Sequence, residues 1–154
     1  MTHTDDFNFW GEYEHGVDDK GRVVMPAEIR GELRGEFVLT RGPDRAILVI
    51  PAPVWREVEH SLREAVLNTN AGLLQRMLGG RVTTRLDPQA RLAIPKHLRE
   101  WAQISPAQTA VIIGQGRKCE IWSKSNWEAY HRLFTYANVY EAARSAGLDE
   151  LLRV

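Results

Sequence analysis

The sequence predicts an α+β fold that is rich in β-structure, built from two tandem copies of one unit with flanking helices. The main observation is a repeat, because residues 18–30 return as residues 87–99 at a constant offset of 69. Apolar residues face apolar residues at 23/92, 25/94 and 29/98, and the identical pairs are Asp18/Asp87, Arg22/Arg91, Pro26/Pro95 and Arg30/Arg99. A duplicated supersecondary unit explains this, and two copies are too few for a solenoid. The two halves are therefore expected to pack on each other.

Both copies share one local pattern of turn, strand, short helix and hairpin. The aspartate opens a turn, and Lys20-Gly21 suits the positive backbone angles of a tight turn. An apolar run then predicts a buried strand, and the proline after it begins a helix, expected over 27–33 and 96–102. A hairpin follows each helix, and a first strand is expected over 7–17.

Helical periodicity follows each hairpin. Apolar residues recur every four positions from Val54 to Val66, and a second helical face ends at Gly79-Gly80. A last helix is expected over about 138–152, where Gly147 weakens or splits it. These patterns divide the chain into a first repeat (12–55), a helical linker (56–80), a second repeat (82–127) and a C-terminal helical segment (128–154).

Composition excludes several classes of protein. The chain has 154 residues, of which 44% are hydrophobic, enough for one ordinary core or two small joined halves. Its 20 basic and 20 acidic residues cancel, so no global field favours nucleic acid or membrane, although a local basic patch stays possible. Cys119 is alone, which rules out an internal disulfide. No signal peptide and no run of ~20 apolar residues is present, so we expect a cytoplasmic protein.

The arginine of the first turn has two interpretations. Arg22 could fork onto phosphate or guanine edges, or it could pair with Asp18 across the turn and fix the loop. Both hold if Asp18 orients the loop while Arg22 points outward, and Lys20 beside it could contact phosphate. The segment 81–100 is locally basic, through Arg81, Arg85, Arg91, Lys96 and Arg99, and is either a solvated face or a phosphate-tracking patch.

Catalytic and metal chemistry find no support. His15 lies near Asp18 and Asp19, but three ligands in a turn without a second His or Cys set do not predict a metal site. No phosphate-binding glycine loop and no Ser-His-Asp arrangement is visible, so neither an enzyme nor a cofactor is predicted. The tryptophans amid apolar runs are predicted to be core or interface residues: Trp55, Trp122 and Trp127.

Three motifs together resemble the MraZ family of bacterial transcriptional regulators, whose genes sit beside cell-division and cell-wall genes. They are Phe-Trp-Gly-Glu-Tyr-Glu-His at 9–15, the first Asp-x-x-x-Arg followed by Val-Val-Met-Pro, and Glu-Ile-Trp at 120–122 ahead of Trp127. The resemblance runs from about Phe7 to Tyr130. It implies an AbrB-like, swapped-hairpin β-barrel made from the two copies, a ring-shaped homo-oligomer, often of eight subunits, and binding to repeated boxes in double-stranded promoter DNA.

The resemblance favours a DNA contact for Arg22. The local charge pattern adds Lys20 beside Gly21, Arg91 in the second turn and Arg81 and Arg85 in the basic segment as expected DNA-binding residues, while Asp18 and Asp87 are expected to orient the loops. The second turn departs from the family in carrying Ala90 where glycine is usual, after Pro88-Gln89, so a stiffer loop is expected. The leading hypothesis is a sequence-specific, nucleoid-associated DNA-binding regulator. The alternatives are an AbrB-like, antitoxin-type protein-interaction module and a purely structural ring-former.

Overall fold

Both copies of the repeat lie in the same one of the two units of this chain. The structure, a computed structural model, describes residues 7–65 and 69–153. By contacts these residues divide between Lys124 and Ser125 into two units. The first unit contains both repeats and the helices between them, and the second is helical.

Strands and helices follow one order in both copies. The first copy contains β1 (Glu12–Gly16), β2 (Arg22–Val24), α1 (Ala27–Arg30), β3 (Phe37–Arg41) and β4 (Ile47–Pro51). Two helices lead to the second copy, α2 (Ala52–Glu64) and α3 (Thr69–Leu78). That copy contains β5 (Val82–Thr84), β6 (Arg91–Ala93), α4 (Lys96–Ala102), β7 (Thr109–Gly114) and β8 (Cys119–Ser123).

The copies exchange strands. The main sheet has six strands in the order β1-β7-β8-β4-β3-β5, and every neighbouring pair is antiparallel. The first strand of each copy pairs with the third strand of the other copy, β1 with β7 and β5 with β3. The turn strands β2 and β6 pair with each other in a separate two-stranded ribbon. Each copy therefore supplies half of every layer.

Strand register reveals a local twofold relation between the copies. In the ribbon Val23 is opposite Leu92, its counterpart at the offset of 69. The second copy has three extra residues between Arg99 and Gly114, so the offset in the later strands is 72, and in the sheet Leu48 is opposite its counterpart Glu120. The pairs on either side of these positions are related by the same exchange. An approximate twofold axis therefore passes through the centre of the ribbon and through the junction of β4 and β8.

One apolar core lies between the ribbon and the sheet. The ribbon contributes Val23 and Leu92, and the sheet contributes residues such as Leu39 and Ile112, all at most 1% exposed. Burying an aliphatic side chain of this kind contributes about 1.5–3 kcal/mol each. A second cluster on the other face of the sheet holds α2 and α3, with Trp55 among its members. Among the described residues the strand ladders stay open, with β1 and β5 at the sheet edges, and no closed barrel is detected.

Most sequence-based boundaries agree with the structure, and the differences have local causes. The first strand begins at Glu12 rather than residue 7, because Gly11 has φ of 103°, outside the range of a continuing strand. Helix α1 ends at Arg30, three residues earlier than expected, and the chain continues in turns to Leu33. The predictions for α4 and for both hairpins are confirmed. The predicted position Val66 lies outside the described residues.

The second unit is a short helical segment. It contains most of α5 (Lys124–Tyr130) and all of α6 (Tyr136–Ser145), which Thr135 caps by accepting from the Asn138 N–H at 3.1 Å. Gly147, with φ of 73°, ends the helical run before a 3₁₀ turn at Asp149–Arg153, so the predicted split is confirmed. Trp127 is buried, as are Trp55 and Trp122. None of the helices in the described ranges has the length and apolarity needed to cross a bilayer.

Candidate nucleic-acid interface

The first turn is built around the Asp18 carboxylate. Its Oδ1 accepts from the backbone N–H groups of Lys20 at 2.9 Å and Arg22 at 2.8 Å, and its Oδ2 accepts from Arg22 Nε at 2.7 Å. The backbone closes the turn as well, through Gly21 N–H to Asp18 O at 3.0 Å. Both interpretations of the sequence are thus compatible: Asp18 fixes the loop, and it holds Arg22 by only one edge of the guanidinium.

The second turn repeats this arrangement. Asp87 Oδ1 accepts from the N–H groups of Gln89 at 2.9 Å and Arg91 at 2.8 Å, and Oδ2 accepts from Arg91 Nε at 2.7 Å. Ala90 occupies the place of Gly21 and has φ of 62°, close to the 76° of that glycine. For a residue with a Cβ this left-handed conformation costs about 1–2 kcal/mol. The second turn therefore keeps the geometry of the first despite the substitution.

The hydrogen bonds inside the turns lower the pKa of both aspartates. For Asp18 the main cause is the Arg22 backbone N–H, which outweighs partial burial, and the Arg22 side chain adds to it. For Asp87 partial burial is the largest single influence and acts to raise the pKa. The hydrogen bonds from Arg91 and Gln89 together outweigh it, so that pKa also lies below its ordinary value of 3.8. Both carboxylates are consequently charged at neutral pH.

Each turn is joined to the other copy. The Gly21 carbonyl accepts from the Ile94 N–H at 3.1 Å, and the Ala90 carbonyl accepts from the Met25 N–H at 2.9 Å. Met25 and Ile94 are both fully buried below the ribbon. The two turns therefore lie at either end of one rigid ribbon and are anchored in one core.

The ribbon has an inner and an outer face. Val23 and Leu92 point into the core, so the alternation of a β-strand places Arg22, Val24, Arg91 and Ala93 on the opposite, outer face. Val24 is 41% exposed, although valine is apolar. The cross-strand register sets Arg22 opposite Ala93 and Val24 opposite Arg91. The outer face thus carries two guanidinium groups and two small apolar side chains.

The two arginines differ in their freedom. Arg91 Nη2 donates to Gln89 Oε1 at 3.2 Å, so a second edge of this guanidinium is occupied. In the described part of the chain the terminal nitrogens of Arg22 have no hydrogen-bond partner, and its Nε–Asp18 contact is its one ion pair. Lys20 stands where the second turn has Gln89. The first turn therefore presents more unengaged positive charge.

Arg99, which the sequence places in the second short helix and in the basic segment 81–100, reaches across to the first turn. Its Nη1 donates to the Ile94 carbonyl at 2.7 Å, and the side chain lies so close over Gly21 that a methyl group there would overlap it. Its counterpart in the first copy, Arg30, donates no side-chain hydrogen bond within the described ranges, and the second turn carries the methyl group of Ala90 where the first has Gly21. The site is thus only approximately symmetric.

The other predicted basic residues lie away from the ribbon. Arg81 and Arg85 flank β5, at the edge of the main sheet. The Arg81 guanidinium lies 5.7 Å from the ring centroid of Trp55, and Arg85 Nη2 pairs with Glu36 Oε1 at 3.3 Å. The structure brings together the residues of the two turns and does not bring Arg81 and Arg85 into the ribbon.

Sequence reasoning missed the outward position of Val24. The period-two alternation within Arg22-Val23-Val24 could have revealed it, because a buried Val23 sends both neighbours outward.

Among the described residues there is no group of three His, Cys, Asp or Glu side chains that could hold a metal ion. Cys119 is fully buried in the core, and this burial raises the pKa of its thiol.

Comparison with known proteins shows which protein family contains this pair of tandem domains. The fold and the paired turns define a protein of two tandem domains of one kind, and the pattern of the MraZ protein family, described as antitoxin-like, matches residues 8–76 and 77–149. The chain belongs to the MraZ family, a family of transcriptional regulators and not of enzymes. This confirms the resemblance seen in the sequence.

Individual relatives span nearly the same length. The protein named transcriptional regulator MraZ from Moorella thermoacetica is 38% identical over 144 residues, which is 92% of this chain and 97% of the relative. The protein of the same name from Roseiflexus castenholzii is 42% identical over 122 residues, 78% of this chain and 84% of its own. That from Caldanaerobacter subterraneus subsp. tengcongensis is 40% identical over 124 residues, 79% and 85% of the two chains.

Proposed function

We propose that this protein is a sequence-specific DNA-binding regulator that reads repeated promoter boxes near cell-division and cell-wall genes. The observation that carries the proposal is the outer face of the β2–β6 ribbon. There Arg22 and Arg91 are each held by an aspartate through Nε while the rest of the group faces away from the core. An arginine preoriented in this way loses little conformational freedom when it binds a base or a phosphate.

A two-stranded ribbon with outward arginines can enter the DNA major groove. That groove admits a two-stranded β-ribbon, and arginine forks onto the O6 and N7 acceptors of guanine. Val24 and Ala93 on the same face would meet thymine methyl groups, and Lys20 would contact phosphate. Since the local twofold relates the two turns, they would address adjacent half-sites from one surface. Arg81 and Arg85 are proposed as weaker phosphate contacts, because each already has a partner within the protein.

Affinity would come from assembly. A subunit whose 20 basic and 20 acidic residues cancel gains little from counterion release. A ring-shaped homo-oligomer, with eight subunits as the expected size, would engage several boxes at once and multiply modest contacts through effective concentration. The ribbon and sheet that enclose one core are in keeping with the barrel-like AbrB arrangement that we propose for each subunit. A cytoplasmic, nucleoid-associated location follows from this role.

The test is binding to DNA from upstream of the protein's own gene, measured by mobility shift and fluorescence anisotropy. A probe with several boxes should bind far more tightly than a probe with one box. Displacing one box by half a helical turn should weaken binding almost as much as deleting it, because the ribbon would face the wrong side of the duplex. Equal affinity for promoter and scrambled DNA would overturn the proposal.

A second candidate is an antitoxin-type protein-interaction module. It is favoured by the exposed apolar side chains of the second unit, among them Tyr136 at 76% and Leu151 at 65% exposure. On this alternative the promoter probes would bind no better than scrambled DNA, and deletion of residues 134–154 would abolish binding to the protein partner.

A further inference from the structure

An apolar groove opens on the first unit between α3, α4 and the end of β3. Its volume is about 640 Å³, and its apolar lining is formed by Leu73, Leu74, Met77 and Trp101. Leu73 is 76% exposed and Leu74 is 44% exposed, so two adjacent leucines face solvent at the mouth of this groove. A soluble domain gains by covering a patch of this kind.

The rim of the groove is cationic. Arg41 and Arg76 line it, and the guanidinium of Arg45 lies 4.4 Å from the ring centroid of Trp101. None of these three arginines forms an ion pair with an acidic residue in the described ranges, and no acidic residue lines the groove. An occupant should therefore combine an apolar anchor with negative charge beside it.

Such an anchor exists elsewhere on the same unit. Trp10 is 63% exposed, yet it is held in place, because its Nε1 donates to Asn8 Oδ1 at 2.6 Å. The preceding Phe9 is buried and forms both bridge hydrogen bonds with Gly116, at 2.7 and 2.8 Å. A large aromatic side chain that is already immobilised loses little entropy on binding and is the usual centre of an interface.

Two glutamates lie near Trp10, although the turn beside it is followed by the basic residues Arg117 and Lys118. Glu12 is exposed two positions along the chain, and Glu32 Oε2 accepts from the Asn8 backbone N–H at 3.3 Å. The exposed tryptophan supplies an apolar anchor, and Glu12 and Glu32 supply negative charge for the arginines of the groove. We call this surface the Trp10 knob.

The sheet order separates the knob from the groove. The knob leads into β1, which is one edge strand of the six-stranded sheet, whereas Arg41 and α3 belong with β3 and β5 at the other end. A surface that is complementary to a different surface of the same molecule makes a heterologous, head-to-tail contact. If the grooves of two copies paired with each other, the three arginines of one copy would instead face the same three arginines of the other copy.

We propose that the Trp10 knob of one copy inserts into the Leu73–Trp101 groove of a second copy. This inference rests on the self-assembly of the proposed function and names its contact. A tryptophan buries roughly 150–250 Å², less than the ~800 Å² per partner of a stable interface. Trp10 is therefore the anchor, and the arginines and glutamates around it fix the orientation.

The test is assembly of the full chain, measured by sedimentation velocity over micromolar concentrations. Trp10→Ala and Leu73→Glu should each weaken self-association by about 30-fold or more, as expected for loss of a central anchor. Tyr136→Ala removes an even more exposed aromatic, from the second unit, and should leave assembly unchanged. Circular dichroism and thermal unfolding verify that each variant is folded, which is expected because both substituted side chains are exposed.

Mixing the two variants gives the decisive result. A Trp10→Ala copy retains an intact groove and a Leu73→Glu copy retains an intact knob, so the mixture should form one-to-one dimers that cannot grow further. Wild-type mass for either variant, a wild-type monomer, or a mixture that stays monomeric would each overturn the inference. Binding of a single-box probe is measured on the same samples, so that failure of the knob contact is distinguished from failure of DNA recognition.

Discussion

Arg99 of the second copy lies across Gly21 of the first, and the absence of a side chain at Gly21 makes room for it. The guanidinium reaches the Ile94 carbonyl at 2.7 Å, the same residue whose N–H bonds Gly21 O. The glycine thus serves two purposes, a positive φ for the turn and space for a cation beneath it. In the second turn Ala90 meets the first requirement under strain and fails the second.

A pair of substitutions at these positions tests this relation. Gly21→Ala should destabilise the protein by about 1–2 kcal/mol for the left-handed conformation, with a further loss from displacement of Arg99. The reverse change, Ala90→Gly, should be neutral or stabilising by up to about 1 kcal/mol. Urea unfolding followed by circular dichroism measures both. Equal effects of the same sign would contradict the asymmetry.

Arg22 should matter more for DNA binding than Arg91. Arg22→Ala is expected to abolish specific binding, at roughly 1–3 kcal/mol per base contact in every engaged subunit. Arg91→Ala should have a smaller effect, because Gln89 already holds one edge of its guanidinium. Anisotropy with a multi-box probe gives the affinities. Thermal midpoints should change little, because exposed ion pairs of this kind are weak, and the oligomer mass should stay unchanged. Abolished binding in Arg91→Ala with retained binding in Arg22→Ala would reverse the assignment.

Val24 should recognise a thymine methyl group. Replacing thymine by deoxyuridine within a box removes the methyl group without changing the hydrogen-bonding edge, so the wild type should bind that probe more weakly. Val24→Ala should reduce this difference, since the apolar partner on the ribbon is shortened. Deoxyuridine placed outside the boxes is the control. An unchanged preference for thymine in the variant would exclude Val24 as the reader.

The two aspartates should make stability depend on pH in the acidic range. Because their pKa values in the folded state lie below the ordinary 3.8, their contribution is fully present above that value. It is lost as the pH falls through the lowered folded-state pKa values. A double variant, Asp18→Asn with Asp87→Asn, should therefore differ from the wild type by a constant amount between pH 7 and pH 5. Urea midpoints should converge below pH 3.8, and a gap that persists at pH 2 would argue against the mechanism.

Much of the fold could be predicted from local patterns. The repeat located both turns, the β2 and β6 apolar runs and the hairpins, because these depend on residues close together in the chain. The prolines at 26 and 95 correctly marked the helix starts, since proline suits a first helical turn. The end of the last helix near Gly147 could also be predicted, because glycine weakens a helix.

The pairing of distant strands could be expected only through the family resemblance. Glu12 and Ile113 lie opposite each other across 100 residues of chain, and no local periodicity specifies that register. The reach of Arg99 to Gly21 was not predicted for the same reason, because the two residues belong to separate copies and no local pattern relates them. The outer position of Val24 was within reach, but a three-residue strand gives a weak periodic signal.

The exchange of first strands has a consequence for how this chain is made. When β1 leaves the ribosome, its sheet partner β7 has not yet been translated, and neither copy can satisfy its edge alone. During synthesis β1 of the first copy therefore stays without its sheet partner until most of the second copy has been translated. Two separately expressed halves, divided between α2 and α3, should each be insoluble, yet should complement one another when translated together. Each copy therefore needs the other in order to fold, and neither copy can be deleted from the chain without loss of the fold.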